Sequence, residues 1–352
     1  MTQVSSEHSP IRLSAAIKDL CRSQWGEVFV SWQVVGRWKR QYSEVQLIEL
    51  KTTATTRRLI AKRAVAHADN ASYFGRGNVA LKELGALQQA EAALQDTKDG
   101  HVPRTYGVAS DEDWLLMEYV IGSQLDRQLI NARWLSSGQR QAAAERHFAR
   151  LGRWLQAYQR ATAKDIPVEV IEGTVAECQR RLTNLHTASQ RISADFVVQV
   201  TARLQDLLRQ IPGPVEGCSC HGDFGPWNVL VTDDSLTVID FFCRRDDSIW
   251  IDPLNVITYL QTQQRSVSLS RQRIERLQSA FLQGYGRSWR VQDPDFQIAQ
   301  AFQQICRLQD ALLGAPGHSW FDRYRRWRVI GELFHQLVGK TASNRSTPWR
   351  SE

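Results

Sequence analysis

Three oxygen-bearing side chains in one short stretch have the types and spacing of a phosphate-handling site. In "HGDFGPWNVLVTDDSLTVIDFF", His221 to Phe242, Asp223 lies five residues before Asn228, and Asp240 follows two short apolar runs. The runs "NVLV" and "LTVID" flank "TDDS", which is turn chemistry. Pairing Asn228 with Asp240 centres the turn on Asp234 and brings the two Cα atoms within roughly 4.5–5.5 Å. An amide oxygen and a carboxylate are hard ligands suited to Mg2+, which keeps some waters and takes its remaining oxygens from phosphates. Asp223, on the loop entering the hairpin, stands beside such a cation rather than on it. A carboxylate there can accept the proton of an attacking hydroxyl. Taken singly, Asp223 and Asn228 are ordinary turn residues and Asp240 an ordinary strand end. It is their coincidence that carries the reading.

Such a hairpin needs a scaffold, and the rest of the chain supplies candidate elements. The segment from Trp25 to Val65 is rich in Val, Ile, Trp and Tyr and reads as several antiparallel strands, with "EVQLIEL" and "RRLIAKRAV" joined by the Thr-rich "KTTATT". The stretch "GNVALKELGALQQAEAALQ" has helical spacing and ends at the polar "DTKDG". Another strand, "DWLLMEYV", is broken by Gly122. From there to Pro212 the pattern is helical, with Phe148, Leu151, Leu155 and Tyr158 on one face. The hairpin is the one strong strand signal of the second half, and helices resume after it.

The motifs "HGDFGPWN" and "VIDFF" resemble the His-Gly-Asp-x-x-x-x-Asn and Ile-Asp-Phe motifs of the aminoglycoside phosphotransferase and choline kinase family. The resemblance runs from about Trp25 to Gly339, and away from the hairpin it is a pattern of elements only. It implies an α+β, bilobal protein-kinase-like fold, in which a small N-terminal antiparallel-sheet lobe with one long helix precedes a larger, mainly helical lobe carrying the catalytic hairpin. The expected boundaries are 1–121 for the nucleotide-binding lobe, 122–340 for the helical lobe with the catalytic loop and acceptor site, and 341–352 for a flexible polar tail. The family transfers the γ-phosphate of ATP to small-molecule hydroxyls. Carried over residue by residue, Asp223 resembles its catalytic base, Asn228 and Asp240 its Mg2+ ligands, and His221 a support of the loop. Asp252 in "WIDPLNVITYL" matches an acidic residue expected to cap the next helix or brace the catalytic loop, with Pro253 at the first helical position.

A nucleotide site also needs a cation on a strand. Lys62 in "RRLIAKRAV" is the best candidate, with Lys51 as the alternative. Glu83 on the following helix fits as its partner, and Glu91, two turns on, is the second choice. "LLMEYVIG" looks like the family's hinge, where the Glu118 carbonyl and the Val120 N–H would hold adenine. Two departures stand out. The loop between the first strands has one glycine, Gly36, where a glycine-rich phosphate cover would carry several, and Gln159 replaces a family histidine read as scaffold.

Composition narrows the alternatives. With 352 residues, 42% hydrophobic and 23% charged, the chain is an ordinary globular protein expected to form two lobes. No apolar run is long enough to cross a bilayer, and the N-terminus lacks the pattern of a secretion signal, so the expected location is cytoplasmic. Six scattered cysteines suit a reducing compartment, and Cys218, Cys220 and His221 alone make a poor zinc site. The net charge of +7 favours anionic partners. ATP satisfies it. The spread of the basic residues argues against nucleic acid, and peripheral membrane contact is not favoured. The aromatic stripe Trp320, Tyr324, Trp327, Ile330, Phe334 and Leu337 has helical spacing and reads as buried core. A basic chain fits a neutral or anionic acceptor, such as a sugar, glycan precursor, amino alcohol or lipid headgroup, better than a polycationic antibiotic. The rival reading from another class is a pseudokinase scaffold that keeps the fold without turnover. A protein kinase is disfavoured by His-Gly-Asp in place of His-Arg-Asp. Nothing in the pattern sets an oligomeric state.

Overall fold

The computed structural model describes residues 9–40, 43–65, 79–95, 97–109, 114–131, 138–189, 191–264, 271–313, 329–334 and 336–337. The tail 341–352 and three members of the aromatic stripe, Trp320, Tyr324 and Trp327, lie outside them. The chain divides into two compact units, residues 1–128 with 221–244, and residues 129–220 with 245–352. The hairpin, expected as part of the helical lobe, thus belongs to the N-terminal unit.

In that unit β1 (Phe29–Lys39), β2 (Ser43–Thr52), β3 (Thr56–Ala64), β4 (Thr105–Ala109) and β5 (Trp114–Glu118) form an antiparallel sheet of order β1-β2-β3-β5-β4. Strand residues alternate between faces. One set, Ile48, Leu50, Leu59, Ala61, Trp114 and Leu116, packs against α1 (Ser9–Trp25) through Leu13, Ile17, Leu20 and Cys21. These four are spaced as one helical face. Burying a leucine or isoleucine there contributes about 1.5–3 kcal/mol. The α1 helix was not anticipated from the sequence.

Between β3 and β4 runs α2 (Val79–Ala93), which buries Ala80, Glu83, Ala86, Leu87 and Ala90. A carboxylate inside an apolar stripe needs a partner. The short β6 (Ser123–Gln124) pairs with the hairpin strands β9 (Val229–Val231) and β10 (Leu236–Val238) in a second sheet of order β10-β9-β6.

The other unit is mainly helical. The helix α3 (Leu125–Asn131) leads into it, followed by α4 (Gly138–Ala161), α5 (Val168–Ala188), α6 (Ala194–Arg209), α7 (Ile251–Gln264), α8 (Arg271–Tyr285) and α9 (Pro294–Leu313). It also contains a small antiparallel sheet the sequence reading lacked, made of β7 (Lys164–Ile166), β8 (Val215–Cys220) and β11 (Arg245–Ser248) in the order β11-β8-β7. The helix α4 buries Phe148, Leu151, Leu155 and Tyr158, as the spacing predicts. Gln159 is fully buried. Its Nε2 donates to the Ile249 carbonyl at 2.8 Å, and its Oε1 accepts from the Tyr285 hydroxyl at 2.6 Å. That brace matches the scaffold role expected at this position. Ile330, Phe334 and Leu337 are buried, and the Phe334 ring lies 4.3 Å from that of Phe196. No helix among the described residues is long and apolar enough to cross a membrane.

Candidate active site

The hairpin register differs from the expected one. Leu236 opposes Val231, Thr237 opposes Leu230, and Val238 opposes Val229. The Ile239 N–H donates to the Asn228 carbonyl at 2.9 Å, so Ile239, not Asp240, stands opposite Asn228. The reason is the turn. The Thr232 N–H bonds the Ser235 carbonyl, which leaves a two-residue loop of Asp233 and Asp234 and shifts the centre by half a residue. Because side chains alternate, a continuing strand would carry Asp240 away from the face of Asn228. The strand stops instead. Asp240 adopts left-handed backbone (φ 71°, ψ 59°) and opens a 3-10 turn, Phe241–Cys243. Asp240 is the sole non-glycine residue with positive φ among those described, at a cost on the order of 1 kcal/mol.

This bend joins Asp240 to Lys62. The Lys62 ammonium donates to Asp240 Oδ1 at 2.5 Å and to Glu83 Oε1 at 2.6 Å. Between the alternatives left open by the sequence, the structure pairs Lys62 with Glu83. Lys51 sits at the far end of β2 opposite Thr56, and Glu91 is exposed. Burial opposes charge on Lys62, yet the two carboxylates outweigh it and raise its pKa above the ordinary lysine value. Burial likewise works against the Asp240 carboxylate, but Lys62, aided by His221 and Arg40, holds its pKa below the ordinary value. Glu83 is pushed up, first by burial and further by the charge of Asp240, with Lys62 opposing. The Phe241 backbone also bonds Glu83, tying α2 to the 3-10 turn.

The loop before the hairpin holds its groups rigidly. Gly222 has φ +83°, and a Cβ there would stand 2.1 Å from the Cys243 carbonyl oxygen, so only glycine fits. His221 is fully buried. Its Nε2 lies 3.0 Å from the Ile239 carbonyl, and its Nδ1 accepts the Asp223 N–H at 3.3 Å. Both ring nitrogens face backbone groups of the loop and hairpin, which fixes the plane of the imidazole. Asp223 Oδ2 accepts from Asn228 Nδ2 at 2.9 Å and from Trp227 Nε1 at 3.2 Å. The Asn228 amide also donates to the Asp223 carbonyl at 3.0 Å, so its oxygen end points away from Asp223. Trp227 had no signal in the sequence as a partner of Asp223. Its own carbonyl is held by Gln124 Nε2 on β6 at 2.9 Å.

The donor set fits a cation shared with phosphates. Asn228 Oδ1 and Asp240 Oδ2 remain for it once Nδ2 and Oδ1 are engaged. Among the described residues no group of three or more His, Cys, Asp or Glu could hold a metal alone. The Cys218 and Cys220 thiols are buried 3.6 Å apart, with Cys220 Sγ turned to the Asp247 and Ser248 carbonyls.

Glu118 ends β5, its N–H on the Arg104 carbonyl at 2.9 Å, and Val120 lies in the coil that leads to β6. Asp252 belongs to the other unit, fully buried in the first turn of α7. Pro253 is the third residue of that helix, not the first as expected. The fit survives because first-turn N–H groups have no intrahelical acceptor.

Comparison with known proteins supports the same fold. A glucosamine kinase (crystal form A) aligns with a TM-score of 0.52 at 13% identity, covering 89% of this chain and 96% of that one. A putative fructosamine-3-kinase from Thermobifida fusca YX-ER1 aligns with a TM-score of 0.50 at 16% identity, covering 89% and 95%. The comparison with curated proteins returns no match. A family model described as "Phosphotransferase enzyme family" (APH) matches residues 50–302. That span exceeds half of the chain and contains Lys62, Glu83, Asp223, Asn228 and Asp240. The chain therefore belongs to the APH phosphotransferase family.

Proposed function

We propose that the protein is a kinase that transfers the γ-phosphate of ATP to a hydroxyl of a small molecule, with Mg2+ as the cofactor. The observation that carries this reading is the bend at Asp240, which joins one Mg2+-suited carboxylate to a protonated, doubly paired Lys62. Lys62 grips the nucleotide phosphates while Glu83 keeps it aimed. The Glu118 carbonyl and the Val120 N–H hold the adenine. Asn228 Oδ1 and Asp240 Oδ2 would hold the cation, which when bound would supply positive charge to the phosphates. Asp223, fixed through Oδ2, orients the acceptor hydroxyl and takes its proton. The acceptor oxygen bonds the γ-phosphorus as the bond from phosphorus to the β–γ bridging oxygen breaks, and ADP leaves with that electron pair. His221 and Asp252 act as support.

A neutral or anionic acceptor, meaning a sugar, glycan precursor, amino alcohol or lipid headgroup, fits the +7 chain better than a polycation. The test is ADP release from Mg-ATP across a panel of these hydroxyl compounds and aminoglycosides. An active acceptor should emerge, turnover should stop when the metal is chelated, and Asp223→Asn should lower kcat by about 10²–10⁴-fold with nucleotide affinity retained. ATP bound but not consumed across the whole panel would support the scaffold reading instead.

A further inference from the structure

The single glycine of the β1–β2 region leaves open what covers the nucleotide, and the register of the sheet gives an answer. Trp38 opposes Val45, Val45 opposes Lys62, and Lys62 opposes Leu115. One row away, Gly36, Leu47, Ile60 and Met117 are opposed in turn. Directly opposed residues share a face of the sheet. Trp38 and Gly36 therefore lie on the Lys62 face, opposite the face packed by α1. The Arg40 N–H donates to the Ser43 carbonyl at 2.8 Å, extending the ladder by one residue, so Arg40 returns to this face two residues after Trp38.

Two further observations concern these side chains. The indole of Trp38, 48% exposed, lies across Gly36, with Cη2 2.9 Å from where a Cβ would stand. The absent side chain is what admits the ring. Arg40 is exposed at the end of this row. Two residues along and two strands across place the backbones of Arg40 and Lys62 about 12 Å apart, a gap that two long cationic side chains and a polyphosphate between them can fill.

We propose that this chain covers its nucleotide with side chains: Trp38, lying over Gly36, closes over the nucleoside, and Arg40 binds the terminal phosphates in place of the backbone of a glycine-rich turn. The inference rests on the nucleotide reading above. A planar guanidinium suits the task, because it donates two parallel hydrogen bonds to phosphate oxygens and keeps its charge at any working pH.

The test is calorimetric titration of the full chain with Mg-ATP, Mg-ADP, AMP and adenosine. Wild type is compared with Arg40→Gln, Arg40→Lys and Trp38→Ala, each checked by thermal melt. Arg40→Gln should weaken ATP by at least about tenfold, ADP less, and adenosine by under twofold, with Arg40→Lys in between. Trp38→Ala should weaken all four ligands by a similar factor, because its contact does not depend on phosphate. Unchanged ATP affinity in Arg40→Gln, or an equal loss for adenosine and ATP, would overturn the phosphate role. Unchanged affinities in Trp38→Ala would overturn the aromatic one. A wild-type protein that binds no ATP would remove the nucleotide reading itself, and a wild type that binds it while the variants behave alike would remove only this inference.

Discussion

The two faces of the five-stranded sheet are built from the same strands and do opposite things. On one, Ile48, Leu50, Leu59 and Leu116 meet α1 in an apolar core. On the other, one residue out of step, Lys62 carries a buried ammonium between two carboxylates. Alternation along β3 is enough to separate them, since Ala61 faces α1 while Lys62 faces Glu83. The difference teaches that one face is selected for packing and the other for charge placement, so substitutions on the two should be felt in different measurements.

The largest expected effect is on the packed face. Leu50→Ala should cost about 2–5 kcal/mol of unfolding free energy, read by denaturant titration, and leave nucleotide affinity within twofold. If affinity falls in step with stability, the faces are not independent and the comparison breaks. Next, Lys62→Met should lower kcat/KM by roughly a hundredfold, about 2.7 kcal/mol of transition-state stabilisation, in steady-state assays. Its melting temperature should move far less than that of Leu50→Ala. Removing the ammonium leaves Glu83 and Asp240 as two like charges, so Lys62→Met with Glu83→Gln should melt higher than Lys62→Met alone.

The smallest effect is one of pH. Asp240 has a lowered pKa in the fold, so its contribution to stability is present above its unfolded value, near 3.9, and is lost as pH falls through the folded one. Lys62 has a raised pKa, so its contribution is present below about 10.4 and is lost as pH rises through its folded value. The stability difference between wild type and Asp240→Asn should therefore be flat from about pH 5 to 9 and shrink below about pH 4. A difference that slopes through neutrality would place the titrating group elsewhere.

How much of this was legible in the sequence depended on the range of the interaction. Asp223 and Asn228 sit five residues apart, and the bonds between them are local. Lys62 and Asp240 are joined across 178 residues, and nothing in either segment announces the other. The choice of Lys62 over Lys51 rested on an apolar context. What separates them in the fold is strand register, which single-strand alternation does not carry. The hairpin register lies one residue from the expected one because "TDDS" allows more than one turn, and the left-handed bend that repairs the aim of Asp240 has no signature in "VIDFF". The strands β7, β8 and β11 are three to six residues long and partly polar, too short for a periodic signal. The α1 helix has its signature in the spacing of Leu13, Ile17, Leu20 and Cys21, a single apolar face in an otherwise polar terminal segment.

Position 222 carries a consequence for anyone sampling variants of this enzyme. Its left-handed φ and the carbonyl of Cys243 pressed against its Cα deny it both a conformation and a volume that other residues could use. In a saturated library selected for turnover, that codon should come back as glycine alone, making it an internal gauge of how stringent the selection has been.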